Sequence, residues 1–324
     1  MNPTLQQVHN INEPLTDFSL MFLQKDGFVA DKVFPIKEVE HKSSSYFTYP
    51  RGSFNTPSMK QRAPGTTVET MDYDISMATY TTQVWALGRH LDEQIEANAD
   101  PIISLELEAT QALTLQLQLN KEINWASTFF TTGVWTNSWT GEASSPSTNQ
   151  FLQWNNSSAT PIEDIRNMKR NIILSSGNVG EPNTLVLGKQ VYDTLLAVPE
   201  IVSRIVYAQK QANAALVTKD ILAQLFEVDQ ILVSTAVQNT AQYGASESNA
   251  FVLGKSALLA YVPPAIGVRT PAAGVNFTWS AYGPSRITSY PWMPTRSTHV
   301  EIESAYEYNL ISADLGGFFS AAIA

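Results

Sequence analysis

Residues 42–88 read KSSSYFTYPRGSFNTPSMKQRAPGTTVETMDYDISMATYTTQVWALG, and their apolar face is too thin for a core. Tyr46, Phe47 and Tyr49 precede a run of turn formers, Pro50, Gly52, Pro57, Pro64 and Gly65. A second β-rich run follows over 73–85, with Tyr, Ile, Thr and Val prominent. Two strands around a long tip predict an elongated hairpin, which is marginal alone in water and needs a partner surface. Charge suggests where that surface lies. Between His41 and Val68 there is no Asp or Glu, while Lys42, Arg51, Lys60 and Arg62 are present. Just beyond the hairpin the balance reverses, with Asp92, Glu93, Glu96, Asp100, Glu106 and Glu108 and no Lys or Arg among them. The pattern fits two arrangements: the basic hairpin (Lys42, Arg51, Lys60, Arg62) rests over the acidic helix start (Asp92, Glu93, Glu96, Asp100) of an adjoining copy, or both are ordinary solvated faces. Each exposed pair would contribute only about 0–1 kcal/mol. Repeated over many copies, such pairs can still set register and make association salt-sensitive.

On either side of this stretch the chain divides into further segments. Residues 1–41, punctuated by Pro3, Pro14 and Pro35, lack sustained periodicity and predict an extended arm with one short helix over 15–22. Residues 101–130 predict the longest helix, about 40 Å at about 1.5 Å per residue, with Asp100 as cap and Pro101 at its first position. Leu113, Leu115, Leu117 and Leu119 alternate as in a strand, but Ala, Leu, Gln and Glu dominate and favour helix. Residues 131–160, rich in Thr, Ser, Asn and Trp, predict loops and short strands. Thr160 and Pro161 then open a helix whose apolar stripe is Ile162, Ile165, Met168, Ile172 and Ile173, stopped by Gly177. Helices are expected over 189–196, 200–209 and 218–226, and strands over 184–187, 230–234, 250–253 and 258–262. This is an α+β unit with one sheet. Strands at 299–304, 308–311 and 318–323 return the chain to β structure.

Bulk properties narrow the classes. The chain has 324 residues, enough for two or three compact units, with 44% hydrophobic and only 15% charged residues. A net charge of −10 argues against tight nucleic-acid binding, which rests on Lys and Arg. There is no cysteine, so disulfides, thiolate metal sites and Cys nucleophiles are excluded. The start, MNPTLQQVHNINEPL, has neither the basic nor the apolar region of a signal peptide, and no apolar window is long enough to span a bilayer.

Catalytic and ligand signals are sparse. His9, His41, His90 and His299 lack metal-ligand spacing, and no nucleophile elbow, phosphate loop or dinucleotide fingerprint occurs. Asp72 and Asp74 share a strand face but read as solvated or paired with basic neighbours. No enzyme and no cofactor are expected. Trp125, Trp135, Trp139 and Trp154 fall in a stretch rich in Asn, Ser and Thr. Such rings can form a sugar-binding platform, or they can fill core and subunit contacts.

The order of segments resembles the major capsid proteins of tailed double-stranded DNA bacteriophages, a fold shared with encapsulin shells. Phe28-Val-Ala-Asp-Lys-Val-Phe-Pro35 is similar to their arm, and Asn98-Ala-Asp-Pro101 to the start of their spine helix. Pro182-Asn-Thr-Leu-Val-Leu-Gly188, Ala215-Leu-Val-Thr-Lys-Asp-Ile221, Asn249-Ala-Phe-Val-Leu-Gly-Lys255 and Tyr261-Val-Pro-Pro264 resemble their apical domain. Ile311-Ser-Ala-Asp-Leu-Gly-Gly-Phe-Phe319 resembles their closing strand. The resemblance implies an N-terminal arm over 1–41, an extended loop over 42–88 and a peripheral domain with spine helix over 89–160. It implies an axial domain over 161–290 and a return to the peripheral sheet over 291–324. It further implies self-assembly into hexamers and pentamers of a virion shell, built in the bacterial host cytoplasm. That shell would enclose double-stranded DNA without sequence-specific binding, alongside separate scaffolding, portal and decoration proteins. Some members join a loop Lys to an Asn of a neighbour; Lys60 is the lysine nearest the loop tip, and nothing identifies an acceptor. An encapsulin-like compartment and a secreted sugar-binding protein are the alternatives.

Overall fold

A computed structural model describes residues 27–48, 55–68, 70–72, 75–98, 104–209, 218–242, 244–267 and 270–324. In chain order they form α1 (Ala30–Val33), β1 (Ile36–Val39), β2 (Ser43–Thr48), β3 (Ser76–Thr81), β4 (Gln83–Asp92), α2 (Glu93–Ala97) and α3 (Leu105–Phe129). Next come β5 (Asn137–Glu142), β6 (Gln150–Leu152), α4 (Pro161–Ser176), β7 (Thr184–Gly188), α5 (Lys189–Leu195), α6 (Pro199–Gln209) and α7 (Lys219–Phe226). The chain closes with β8 (Gln230–Ser234), β9 (Val237–Asn239), β10 (Asn249–Phe251), β11 (Ala257–Ala260), β12 (Gly274–Trp279), β13 (Arg286–Trp292), β14 (Ser297–Leu310) and β15 (Gly316–Ser320).

The alternating leucines belong to a helix. In α3, Leu105, Ala109, Leu113, Leu117, Lys121, Trp125 and Phe129 recur every four residues and are all buried. Leu115 and Leu119 lie half-exposed beside that stripe. The hydroxyl of Ser104 accepts the Leu107 N–H at 3.4 Å and caps the helix. Asp100 and Pro101, expected to open it, lie outside the described residues, as does the short helix expected over 15–22. α4 begins at Pro161 and stops at Gly177, whose φ of 71° no β-carbon favours. Thr160 makes no side-chain cap there, although its carbonyl accepts the Asp164 N–H.

Two sheets organise the chain. In the first, β14 is central: β4 pairs along one side, and β13 and β12 share the other, with β1 parallel to β12 beyond. The two short strands expected over 299–304 and 308–311 are one strand, because β4 and β13 hold its first part and β12 takes over from Tyr306. The second sheet has the order β6-β5-β15-β11-β7-β8, so the last strand of the chain sits in its middle. Strands expected at 250, 258 and 318 begin one or two residues earlier.

Strand pairing does not follow the segments read from the sequence. β12 and β13, expected within 161–290, pair in the first sheet. β5 and β6, expected with 89–160, and β15, expected with the peripheral return, pair in the second. The hairpin proper is β2 with β3, and residues 83–88 belong instead to β4. A strand's own pattern reveals which faces are buried but not which distant strand it will meet.

One core lies between α3 and the first sheet and takes in Val186, Leu258 and Phe318 of the second; another lies on the opposite face of the second sheet. α3 covers the first, packing Trp125 and Phe129 against Phe34, and Leu113 and Leu117 in one cluster with Val300 and Ile302. The helices α4 to α7 and the loop at Trp154 enclose the second around Ile165, Met168, Leu185, Leu259 and Phe319. Gly316 and Gly317 let β15 reach its place. A β-carbon on the first would stand 2.3 Å from the Trp135 ring, and on the second 2.4 Å from Met168 Sδ.

Candidate assembly surfaces

The arm is clasped where the two sheets meet. Glu122 of α3 is fully buried, and its Oε2 accepts the N–H groups of Val29 at 2.9 Å and Ala30 at 2.8 Å. Its Oε1 accepts the hydroxyl of Ser234, at the end of β8, at 2.6 Å. One carboxylate therefore ties arm, spine helix and second sheet. Burial pushes its pKa up, while these three donors pull it back down. Beside it, Asp31 pairs with Lys121 Nζ at 2.8 Å and accepts from Asn276 and from the Tyr308 hydroxyl, both at 3.2 Å. Burial and nearby Asp31 push the Tyr308 hydroxyl far up, so it stays a donor. Asp31 and Glu122 escaped the sequence reading. The arm motif contains Asp31, but nothing in α3 marks Glu122 except one acidic residue on a buried stripe.

The hairpin is held at its root and open beyond it. Tyr80 stacks on Phe277 at 4.6 Å, and Tyr46 lies 5.9 Å from the same ring. Thr82 is buried and donates twice to the Lys42 carbonyl, at 2.9 and 3.0 Å. Further out, Phe47 and Met77 face each other across the strands, 62% and 67% exposed. Met59, Val68, Met71 and Ile75 are exposed as well. A cross-strand apolar pair left in water is a contact without its partner.

Lys42, Lys60 and Arg62 are exposed, and Arg62 Nε donates to the Thr66 carbonyl at 2.7 Å. Asp92 is half-buried and caps α2 by accepting the Gln94 N–H at 2.8 Å. Glu93 and Glu96 are exposed, and Glu96 accepts from Thr298 at 3.5 Å. Among the described residues, these three acids form no ion pair within the chain. Arg51 and Asp100 lie outside the described residues.

The remaining candidates have structural roles. Trp125, Trp135 and Trp154 are buried; Trp135 donates to the Phe129 carbonyl and Trp154 to Asp164, at 2.8 and 3.0 Å. Trp139 stands edge-on to Phe319, so the four rings form no platform for a sugar. His90 and His299 meet across β4 and β14 with centroids 4.2 Å apart, and His299 Nε2 lies 3.3 Å from Glu301. The near contact fits over Gly88, where a β-carbon would stand 2.5 Å from the His299 ring. Among the described residues, no group of three or more His, Asp or Glu is arranged to hold a metal, and no helix is long and apolar enough to cross a membrane.

A mixed chain with clasped arm, projecting hairpin, spine helix and two sheets has the fold of tailed-phage major capsid proteins. The phage major capsid protein E family matches residues 147–304. The major capsid protein of Burkholderia phage BcepMu is 24% identical over 263 residues, covering 80% of this chain and 78% of that one. A crystal structure of a phage-related protein from Bordetella bronchiseptica RB50 superposes with a TM-score of 0.66 at 20% identity, over 92% and 93% of the two chains. The mature capsid of bacteriophage PhiM1 gives 0.58 at 14% identity, over 94% and 89%. The expected resemblance to tailed-phage major capsid proteins is borne out in the fold and in the sequence over 147–304, and the sugar-binding and encapsulin alternatives are not favoured.

Proposed function

We propose that many copies of this chain build the head shell of a tailed phage, as hexamers and pentamers around double-stranded DNA. The observation that carries this reading is the hairpin β2–β3, anchored by Tyr46 and Tyr80 yet exposing Phe47 and Met77. Such a limb is stable in water only when another surface covers it. In this reading 1–41 is the arm, 42–88 the extended loop, 89–160 with the return at 291–324 the peripheral part, and 161–290 the axial part, with β5, β6, β12, β13 and β15 crossing these bounds to pair. The work is mechanical, with no catalytic step, and assembly takes place in the host cytoplasm with separate scaffolding, portal and decoration proteins. Closed shells need heterologous contacts around cyclic axes, which suits a subunit with projecting limbs.

The charged residues extend this reading. Lys42, Arg51, Lys60 and Arg62 of one copy lie over Asp92, Glu93, Glu96 and Asp100 of the next. Negative-stain microscopy of the purified chain tests the shell, and closed particles are the expected result. A sample that stays a lone subunit in every buffer would overturn it. Reversing both Arg51→Glu and Arg62→Glu tests the charge contact: particle yield should fall while the subunit stays folded, and normal particles would refute it.

A further inference from the structure

We infer that Met59, Met71 and Met77 form an oxidation-sensitive site, whose conversion to sulfoxides by a hydroperoxide stops the free subunit from assembling. This rests on the shell reading and goes beyond it by giving assembly a chemical control. Methionine is ordinarily a core residue. Among the described residues Met168 alone keeps that habit, fully buried in one cluster with Leu185 and Phe319. Met59, Met71, Met77 and Met293 are 100%, 50%, 67% and 79% exposed. The first three stand on one limb, Met77 in β3 and the other two in the segment that joins β2 to it. The chain has no cysteine, so its accessible sulfur is all thioether.

A thioether sulfur donates a lone pair to one oxygen of hydrogen peroxide. The S–O bond forms as the O–O bond breaks, and the other oxygen takes up the proton of the transferred one and leaves as water. Sulfur loses the two electrons that the peroxide gains. The step needs access rather than a base or a metal, and exposure therefore selects which methionines react. Met77 faces Phe47 across the strands, so its sulfoxide places a strong dipole in an apolar pair. Covering that dipole against a neighbour is unfavourable unless a donor meets it. Both cores are spared, because the sulfur of Met168 is closed to solvent. The unbranched thioether also explains why methionine stands here at all. It repacks against differing surroundings, which suits a limb that must serve in hexamers and pentamers alike.

Peroxide treatment of the purified full-length subunit, then peptide mass mapping and negative-stain microscopy, tests this. Met59, Met71 and Met77 should each gain one oxygen, on the order of tenfold faster than Met168. The oxidised subunit should keep its thermal midpoint while particle yield falls about tenfold, and methionine sulfoxide reductases for both epimers should restore the yield. Met59→Leu with Met71→Leu and Met77→Leu keeps the side-chain volume and should give particles with or without peroxide. Met293→Leu alone should leave the sensitivity unchanged; protection by it would overturn the hairpin as the site. Normal particles from oxidised subunits would overturn the inference and leave the shell reading standing. So would a loss that the reductases fail to reverse, or a triple variant that peroxide still disables, since either places the sensitive group elsewhere. An untreated subunit that forms no particle would remove the shell reading and this inference with it.

Discussion

Glu122 carries a carboxylate into a site closed to solvent, where it accepts two arm amides and the Ser234 hydroxyl. Glu122→Ala would leave those donors buried and unsatisfied, and should lower subunit stability by about 2–4 kcal/mol in urea unfolding. Asp164 works in the other direction. Burial raises its pKa from 3.8 to about 6, against the pull of the Trp154 N–H. The folded state therefore binds this proton more tightly than the unfolded chain. Its contribution to stability is complete below about pH 4 and lost as pH rises through about 6. Because the carboxyl is not fully enclosed, the swing should be about 1–2 kcal/mol rather than the full shift. Asp164→Asn keeps an acceptor for Trp154 and should flatten the stability profile between pH 4 and pH 6.5, as urea titrations across that range would show.

Close aromatic packing supports both the hairpin root and the last strand. Tyr80→Ala removes the ring stacked on Phe277 and should cost about 2–4 kcal/mol locally. Amide exchange over 43–48 and 76–81 should quicken, with the second sheet unaffected. Gly316→Ala forces a methyl against Trp135 at the centre of the second sheet and should lower stability by about 1–3 kcal/mol in a thermal melt. Helices were the elements most readily read from the chain. Pro161, Gly177 and Thr218 mark their own ends through local backbone chemistry, and the Thr218 hydroxyl indeed accepts the Ile221 N–H. Strand partners were not legible, because β15 meets β5 across a separation that no local period encodes.

Across the whole molecule, the features that matter for assembly lie outside both cores. Raising salt from about 0.1 M to about 1 M shortens the screening length from about 10 Å to about 3 Å. The proposed contacts between the basic hairpin and the acids of α2 should weaken accordingly, and light scattering should show assembly slowing as salt rises. By itself the amino-acid order determined the longer helices, the basic stretch followed by an acidic one, and the likeness to phage shells. Those signals are local: caps, apolar spacing and charge. Only the tertiary structure decided that Glu122 clasps the arm, that residues 83–88 are exposed on a strand paired, among the described residues, with β14 alone, and that the four tryptophans form no sugar platform. Each of these depends on what distant segments bury or leave uncovered, and burial is a property of the folded whole.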